Sequence, residues 1–257
     1  MYEITRISAN LHTEQYRTQS LMNTTINSHV NTALQRNGGI AAIGMALCYM
    51  LLFVIFGALL SLPDNTDMLV KLQAIQEQKL LLSISYVVGY LLFGSFLLVT
   101  VQAVHNRMQQ NQSSLLNTAS LFGFIWVVLM MCSGMTALVG MEMTIGFITE
   151  KPEIAVSLFF TSNMMLQALG GGIELVGGLW VLILSAVALR DNHFSKALNL
   201  LGLIVGSLGV LTIFQSIPYL KDLFGLIQIV WFIWLAISLM KTDPVNRQTK
   251  SVASDQP

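Results

Sequence analysis

Gly170-Gly171-Gly172-Ile173-Glu174-Leu175-Val176-Gly177-Gly178-Leu179-Trp180 sets one carboxylate among five glycines, inside an apolar run from Ile154 to Leu189 that holds no other Asp, Glu, Lys or Arg. A helix needs about 20 apolar residues to cross a bilayer's hydrocarbon, and this run has 36. A charge at that depth costs several kcal/mol, so an acid inside a span is by default a functional-site hypothesis. The glycines allow another backbone to approach closely.

Composition makes hydrocarbon the right solvent for the rest of the sequence. Hydrophobic residues form 54% of the 257 residues, charged residues only 10%, and mean hydropathy is +0.67. These values lie far from the balance of a soluble domain. A formal net charge of zero excludes the broad basic surface of a nucleic-acid binder. Cys48 and Cys132 both fall in apolar runs, at different depths, and are expected to be buried small hydrophobes without a disulfide. No secretory signal peptide is expected, because the first apolar run follows a polar stretch of 37 residues and is too long for a signal core.

Working outward, further apolar runs cover Gly38 to Leu62, Leu80 to Val104, Leu115 to Met141, Ala197 to Ile217 and Leu223 to Met240. None shows the period-two alternation of a membrane β-barrel, so the spans are helices. The fold expected is all-α: a polytopic membrane helix bundle over residues 38–240. Polar tails flank it, Met1 to Asn37 (disordered or loosely structured) and Lys241 to Pro257. The long fourth run is ambiguous. As one helix it would be about 54 Å, longer than the ~30 Å core, starting near Pro152. If the glycines turned the chain, it would form two short spans and the total would be seven. With six spans Lys and Arg divide nine to four in favour of the side holding both termini. With seven the split is eight to five, with the N-tail on the poorer side. The positive-inside rule therefore favours six spans in an inner membrane, with both ends cytoplasmic.

In that arrangement Glu174 and Gln228 come to similar depths, with Ser133 and Thr136 in the outer third of the third span. Gln167, Gly170, Gly171, Glu174, Gly178 and Val181 recur at helical spacing on one face. Gathered toward the outer half, Glu174, Gln228, Gln167, Thr136, Ser133 and Trp231 form a candidate site for a small ligand or a proton. The competing reading is structural: a protonated Glu174 donates to a partner such as Gln228 and ties helices together, while glycines permit tight contact. Gly202-x-x-x-Gly206 marks a second close-packing face, expected within one chain rather than between copies. Trp126, Trp231 and Trp234 fall near mid-membrane, where core packing is the ordinary role. Partners expected from the sequence are the lipid bilayer and a small ligand or proton.

An enzyme is disfavoured by what is missing. His12, His29, His105 and His193 fall in tails or cytoplasmic loops, which leaves no intramembrane pair for haem. Glu174 alone cannot hold zinc, so neither cofactor nor metal is expected. There is no G-x-S-x-G, H-E-x-x-H or P-loop motif. An intramembrane enzyme using Glu174 as acid or base is the remaining catalytic alternative.

Two stretches, Gly171-Gly172-Ile173-Glu174-Leu175-Val176-Gly177-Gly178-Leu179-Trp180 with Ala188-Leu189-Arg190, and Phe224-Gly225-Leu226-Ile227-Gln228-Ile229-Val230-Trp231-Phe232-Ile233-Trp234-Leu235, carry a resemblance. The sequence from about residue 40 to 240 resembles a family of uncharacterised bacterial multi-pass membrane proteins, a domain-of-unknown-function family. The resemblance implies a polytopic membrane fold and no activity, ligand or catalytic residue.

Overall fold

The computed structural model describes residues 31–63, 67–109, 113–171, 174–217 and 219–241. Among these, no strand occurs, and helices account for nearly everything. In chain order they are α1 (Asn31–Leu59), α2 (Met68–Glu77), α3 (Lys79–Met108), α4 (Ser114–Phe147), α5 (Pro152–Leu166), α6 (Leu175–Arg190), α7 (Lys196–Leu211) and α8 (Leu220–Met240). α1, α3, α4, the α5–α6 segment and α8 are each long and apolar enough to cross a membrane. The protein is a helical membrane bundle.

α5 and α6 form one kinked rod, which resolves the ambiguity of the glycine-rich run. Arg190 reaches Ser113 (3.0 Å), and a Cβ on Gly177 would lie 2.6 Å from the Trp126 ring. A Cβ on Gly123 would meet Trp180, and Gly140 abuts Ser162. Each pair of residue numbers sums to 302 or 303, so the antiparallel register along α4 is unbroken from residue 162 to 190. A reversal at the glycines would have destroyed that register. The break itself is local: the chain kinks within Gln167–Gly171, where Gly170 has φ 133°, open to glycine without penalty. Gly172 and Ile173 lie outside the described residues.

The α6–α7 hairpin is zipped by small residues. Gly178 faces Gly209, Leu182 faces Gly206, and Ser185 faces Gly202, three layers spaced four and three residues apart on both helices. A Cβ added at Gly178 would sit 2.6 Å from the Val210 backbone nitrogen, and one at Gly206 2.5 Å from that of Leu182. These glycines, with Gly202, thus pack helices within one chain. Beside the hairpin stands an aromatic core. Trp126 lies 5.9 Å from Trp180, which lies 5.8 Å from Trp231, and Phe93 and Phe232 close the group. Trp234 instead points outward.

Four expectations need correction. α1 extends at least to Asn31, inside the supposed tail, because Gln35 is buried and donates to the Ala103 carbonyl (2.9 Å); residues 1–30 and 242–257 lie outside the described residues. The fifth run does not stay helical to Ile217. α7 stops at Leu211, and the chain turns through Thr212 to Ser216 before Tyr219, itself left-handed at φ 61°, opens α8. α2 had no counterpart in the reading of the sequence. Asp67 caps it by accepting from Leu69 N (3.2 Å), and Leu72 and Ile75 pack beside Leu82, Met141 and Ala155. Cys132 is exposed on α4, unlike Cys48, since it points away from the bundle.

Candidate ligand-binding cavity

Glu174 stands at the break, immediately before the first turn of α6. Its carbonyl accepts from Gly178 N (2.7 Å), which starts the helix. Its N–H donates to Thr212 Oγ1 (2.8 Å), and the Thr212 hydroxyl donates to the Gly209 carbonyl (2.6 Å). The end of α7 therefore fixes the position of Glu174. In the α4 register Trp126 is opposite Gly177, so Glu174 is level with residue 129, near the middle of that 34-residue helix. Its Oε2 is sealed from solvent and has no hydrogen-bond partner among the described residues.

The rest of the Glu174 side chain borders a cavity of about 600 Å³ between α1, α3, α5 and the start of α8. Tyr49, Phe53 and Phe56 come from α1, and Tyr86, Tyr90 and Phe93 from α3. Tyr49 meets Phe93 edge-on with ring centroids 5.3 Å apart, and Tyr86 and Tyr90 lie 6.3 Å apart. Asn163, Gln167 and Gly170 form the α5 side. Lys221 and Asp222, both exposed, mark the mouth, and Lys221 is near enough for its charge to act on Glu174.

One feature of the backbone singles this cavity out. The π-helical turns Ile55–Leu59 and Val87–Leu92 and the kinked turn Gln167–Gly171 all contribute to its wall: Phe56 and Gly57, Gly89 and Tyr90, Gln167 and Gly170. A π turn carries an extra residue, re-aims the side chains around it and recurs at functional sites. Three helices distorted toward one space are a second sign, independent of Glu174, that the space is built.

The structure separates the polar group read from the sequence. Glu174 and Gln167 share the cavity; Gln228, Trp231, Ser133 and Thr136 do not line it. Gln228 is fully buried, and both its amide atoms lack partners among the described residues, so the expected Glu174–Gln228 hydrogen bond is not formed. The reason is rotational. Gln228 and Trp231 are three residues apart and turn together toward the aromatic core, whereas α8 reaches the cavity only with its first turn. Ser133 is buried without a partner among the described residues, and Thr136 opens on a separate, mostly apolar groove with Met135, Val139 and Met165. The single face from Gln167 to Val181 is also divided: the kink leaves Gln167, Gly170 and Glu174 on the cavity, while Gly178 faces α7. Glu142, at the end of α4, is exposed and paired with Lys79 (2.7 Å) rather than placed in the cavity.

Tyr49, Tyr90 and Thr212 were missed. A signal for the first existed: Tyr49, Phe53 and Phe56 follow i, i+4, i+7 spacing, and Tyr86 and Tyr90 are i, i+4, so each set makes an aromatic stripe on one helix face. Thr212 had none, since its role depends on where α7 ends. Among the described residues no group of three or more His, Cys, Asp or Glu is placed to hold a metal. Compared with protein-family models, curated proteins and solved structures, the sequence matches none.

Proposed function

We propose that this membrane protein is noncatalytic and binds a small ligand in the cavity at Glu174. The observation that carries the reading is a carboxylate deep in the bundle that lines a roomy space, while its sealed oxygen, Oε2, has no partner among the described residues to tie it to another helix. Burying a carboxylate without a partner costs free energy, and a ligand that pairs with its cavity-facing side offsets part of that cost. The volume falls in the range of small-molecule sites, about 300–1,000 Å³. The purely structural reading needs a helix-to-helix partner for Glu174, and Gln228 does not serve as one. A place among the uncharacterised bacterial family named above belongs to this proposal, and its glycine-rich segment contributes only to the fold.

Accessibility tests the cavity directly. In a Cys132→Ser background, Asn163→Cys puts a thiol on the wall. It should react with a small water-soluble methanethiosulfonate far faster than buried Cys48. If the introduced thiol is as inert as Cys48, the space is closed and the reading fails.

The proposed path has six spans in the cell's inner membrane, with both termini cytoplasmic. Two end-to-end groupings support the antiparallel order of its second, third and fourth spans: Lys79 pairs with Glu142 at one end of the bundle, and Arg190 reaches Ser113 at the other. The cavity mouth at Lys221 then faces outward. Labelling of either tail from outside intact cells would refute this path.

A further inference from the structure

The ligand's chemistry follows from the walls, granted that the cavity binds a ligand at all. We infer that it takes a hydrophobic organic cation, an amine or quaternary ammonium carrying an apolar or aromatic group. Three observations converge. First, the charged groups on the wall are Glu174, Asp222 and Lys221, two carboxylates against one ammonium. The deepest of them is the carboxylate, while Lys221 stays exposed at the mouth. An anion entering to that depth would meet the Glu174 carboxylate, with Lys221 left behind at the exposed mouth. Second, Tyr49, Phe53, Phe56, Tyr86, Tyr90 and Phe93 present aromatic rings to the space. Ring faces carry negative potential and attract a cation, most strongly one that binds little water, such as an alkylated ammonium. Third, Glu174 lines the cavity and its sealed Oε2 has no donor among the described residues, so nothing described there neutralises the carboxylate and a cationic ligand can.

The apolar half of the ligand is equally specified. Leu52, Leu166 and Met130 share the wall with the rings, and Phe53 and Phe56 are exposed. The same chemistry is offered by a free amine and by the amine headgroup of a lipid.

The test uses the full-length protein purified in non-ionic detergent and three probes of one shape: benzyltrimethylammonium, its uncharged carbon isostere neopentylbenzene, and the anion phenylmethanesulfonate. Equilibrium dialysis, corrected for uptake by empty micelles, reads each affinity. The cation should bind more tightly than the isostere, and the anion should not bind. Glu174→Gln should weaken the cation by about thirtyfold, the low end for removing one partner of a buried charge pair, and leave the isostere unchanged. Lys221→Gln, a change at the exposed mouth that does not touch the core, should tighten the cation by removing a repelling charge. It keeps the test decisive if Glu174→Gln does not fold. Equal affinity for cation and isostere, insensitive to either substitution, overturns the cation assignment while the cavity still binds. Failure of all three probes, together with an inert thiol in the Asn163→Cys protein, overturns the binding reading itself. Repeating the titration in bilayers of phosphatidylglycerol, with and without phosphatidylethanolamine, separates the sources. Competition by the amine lipid assigns the site to a headgroup, and its absence to a free cation.

Discussion

The α6–α7 hairpin and the cavity beside it are made from similar materials and end in opposite states. Both use glycine and apolar side chains, and Glu174 lies on the boundary between them. On the hairpin side Gly178, Gly206 and Gly209 bring two backbones together until a methyl group has nowhere to go. On the cavity side a Cβ at Gly170 or Gly57 would touch nothing within 4 Å. Glycine in the first region makes close packing possible; at Gly170 it makes a backbone bend possible. The rigid hairpin fixes the Glu174 backbone through Thr212, and the side chain is left to face an open space. A site needs both: a held residue and room in front of it.

That contrast predicts different responses to the same substitution. Gly178→Leu should abolish folding, because the added side chain would collide with the Val210 and Gly209 backbone, which no rotamer change can relieve. Gly178→Ala should be milder, costing about 1–3 kcal/mol as overpacking does elsewhere. Thermal melts of the purified variants measure both, and an unaffected Gly178→Leu protein would dissolve the distinction between the regions.

Next in size is the link joining them. Thr212→Val keeps the shape and removes the acceptor for the Glu174 N–H and the donor to Gly209 O. Leaving a buried N–H unpaired should cost about 1–3 kcal/mol, and Thr212→Ser should restore most of it. If valine and serine melt together, the hydroxyl does not hold the break. Gly170→Ala separates strain from crowding: space is free there, but φ 133° is foreign to an L side chain. The expected loss is about 1–3 kcal/mol, against almost none at Gly57→Ala, where neither crowding nor strain operates. Equal melting of the two alanine variants would mean that the kink relaxes freely.

How much of this could be read from the sequence follows the range of each interaction. Spans were legible because transfer into hydrocarbon depends on composition over about 20 residues. The Gly202/Gly206 stripe and the importance of Glu174 were legible for similar reasons, one local spacing and one misplaced charge. The path of the fourth run was not, since only contacts with α4, such as Gly140 on Ser162, distinguish a kink from a turn. The cavity was legible only at Glu174 and Gln167. Its aromatic walls come from α1 and α3, whose positions about the bundle no local pattern fixes. Gln228 shows the opposite error: equal depth was read as contact, but depth leaves rotation about the helix axis free, and that rotation sends Gln228 into the core.

The smallest expected effect concerns Glu174 itself, and it reverses a natural expectation. If Glu174 tied helices together, Glu174→Ala would strand a buried partner and cost about 1–3 kcal/mol. Among the described residues Oε2 has no partner, and Gln228 is unpaired whether or not Glu174 is present. Truncation also enlarges a space that already exists, so it creates no new closed void. Glu174→Ala should therefore be neutral or slightly stabilising, as removing an unpaired buried polar group tends to be, and Glu174→Gln should lie close to wild type. Stability and binding then move separately: the cation affinity collapses in Glu174→Gln while its melting temperature holds. A residue kept at some expense of stability and needed for ligand is the pattern of a functional site. Parallel melts and dialysis on the two variants decide it. If both variants melt well below wild type and Thr212→Val does not, Glu174 holds the bundle together through its side chain, and the contrast between rigid hairpin and open cavity has been drawn at the wrong residue.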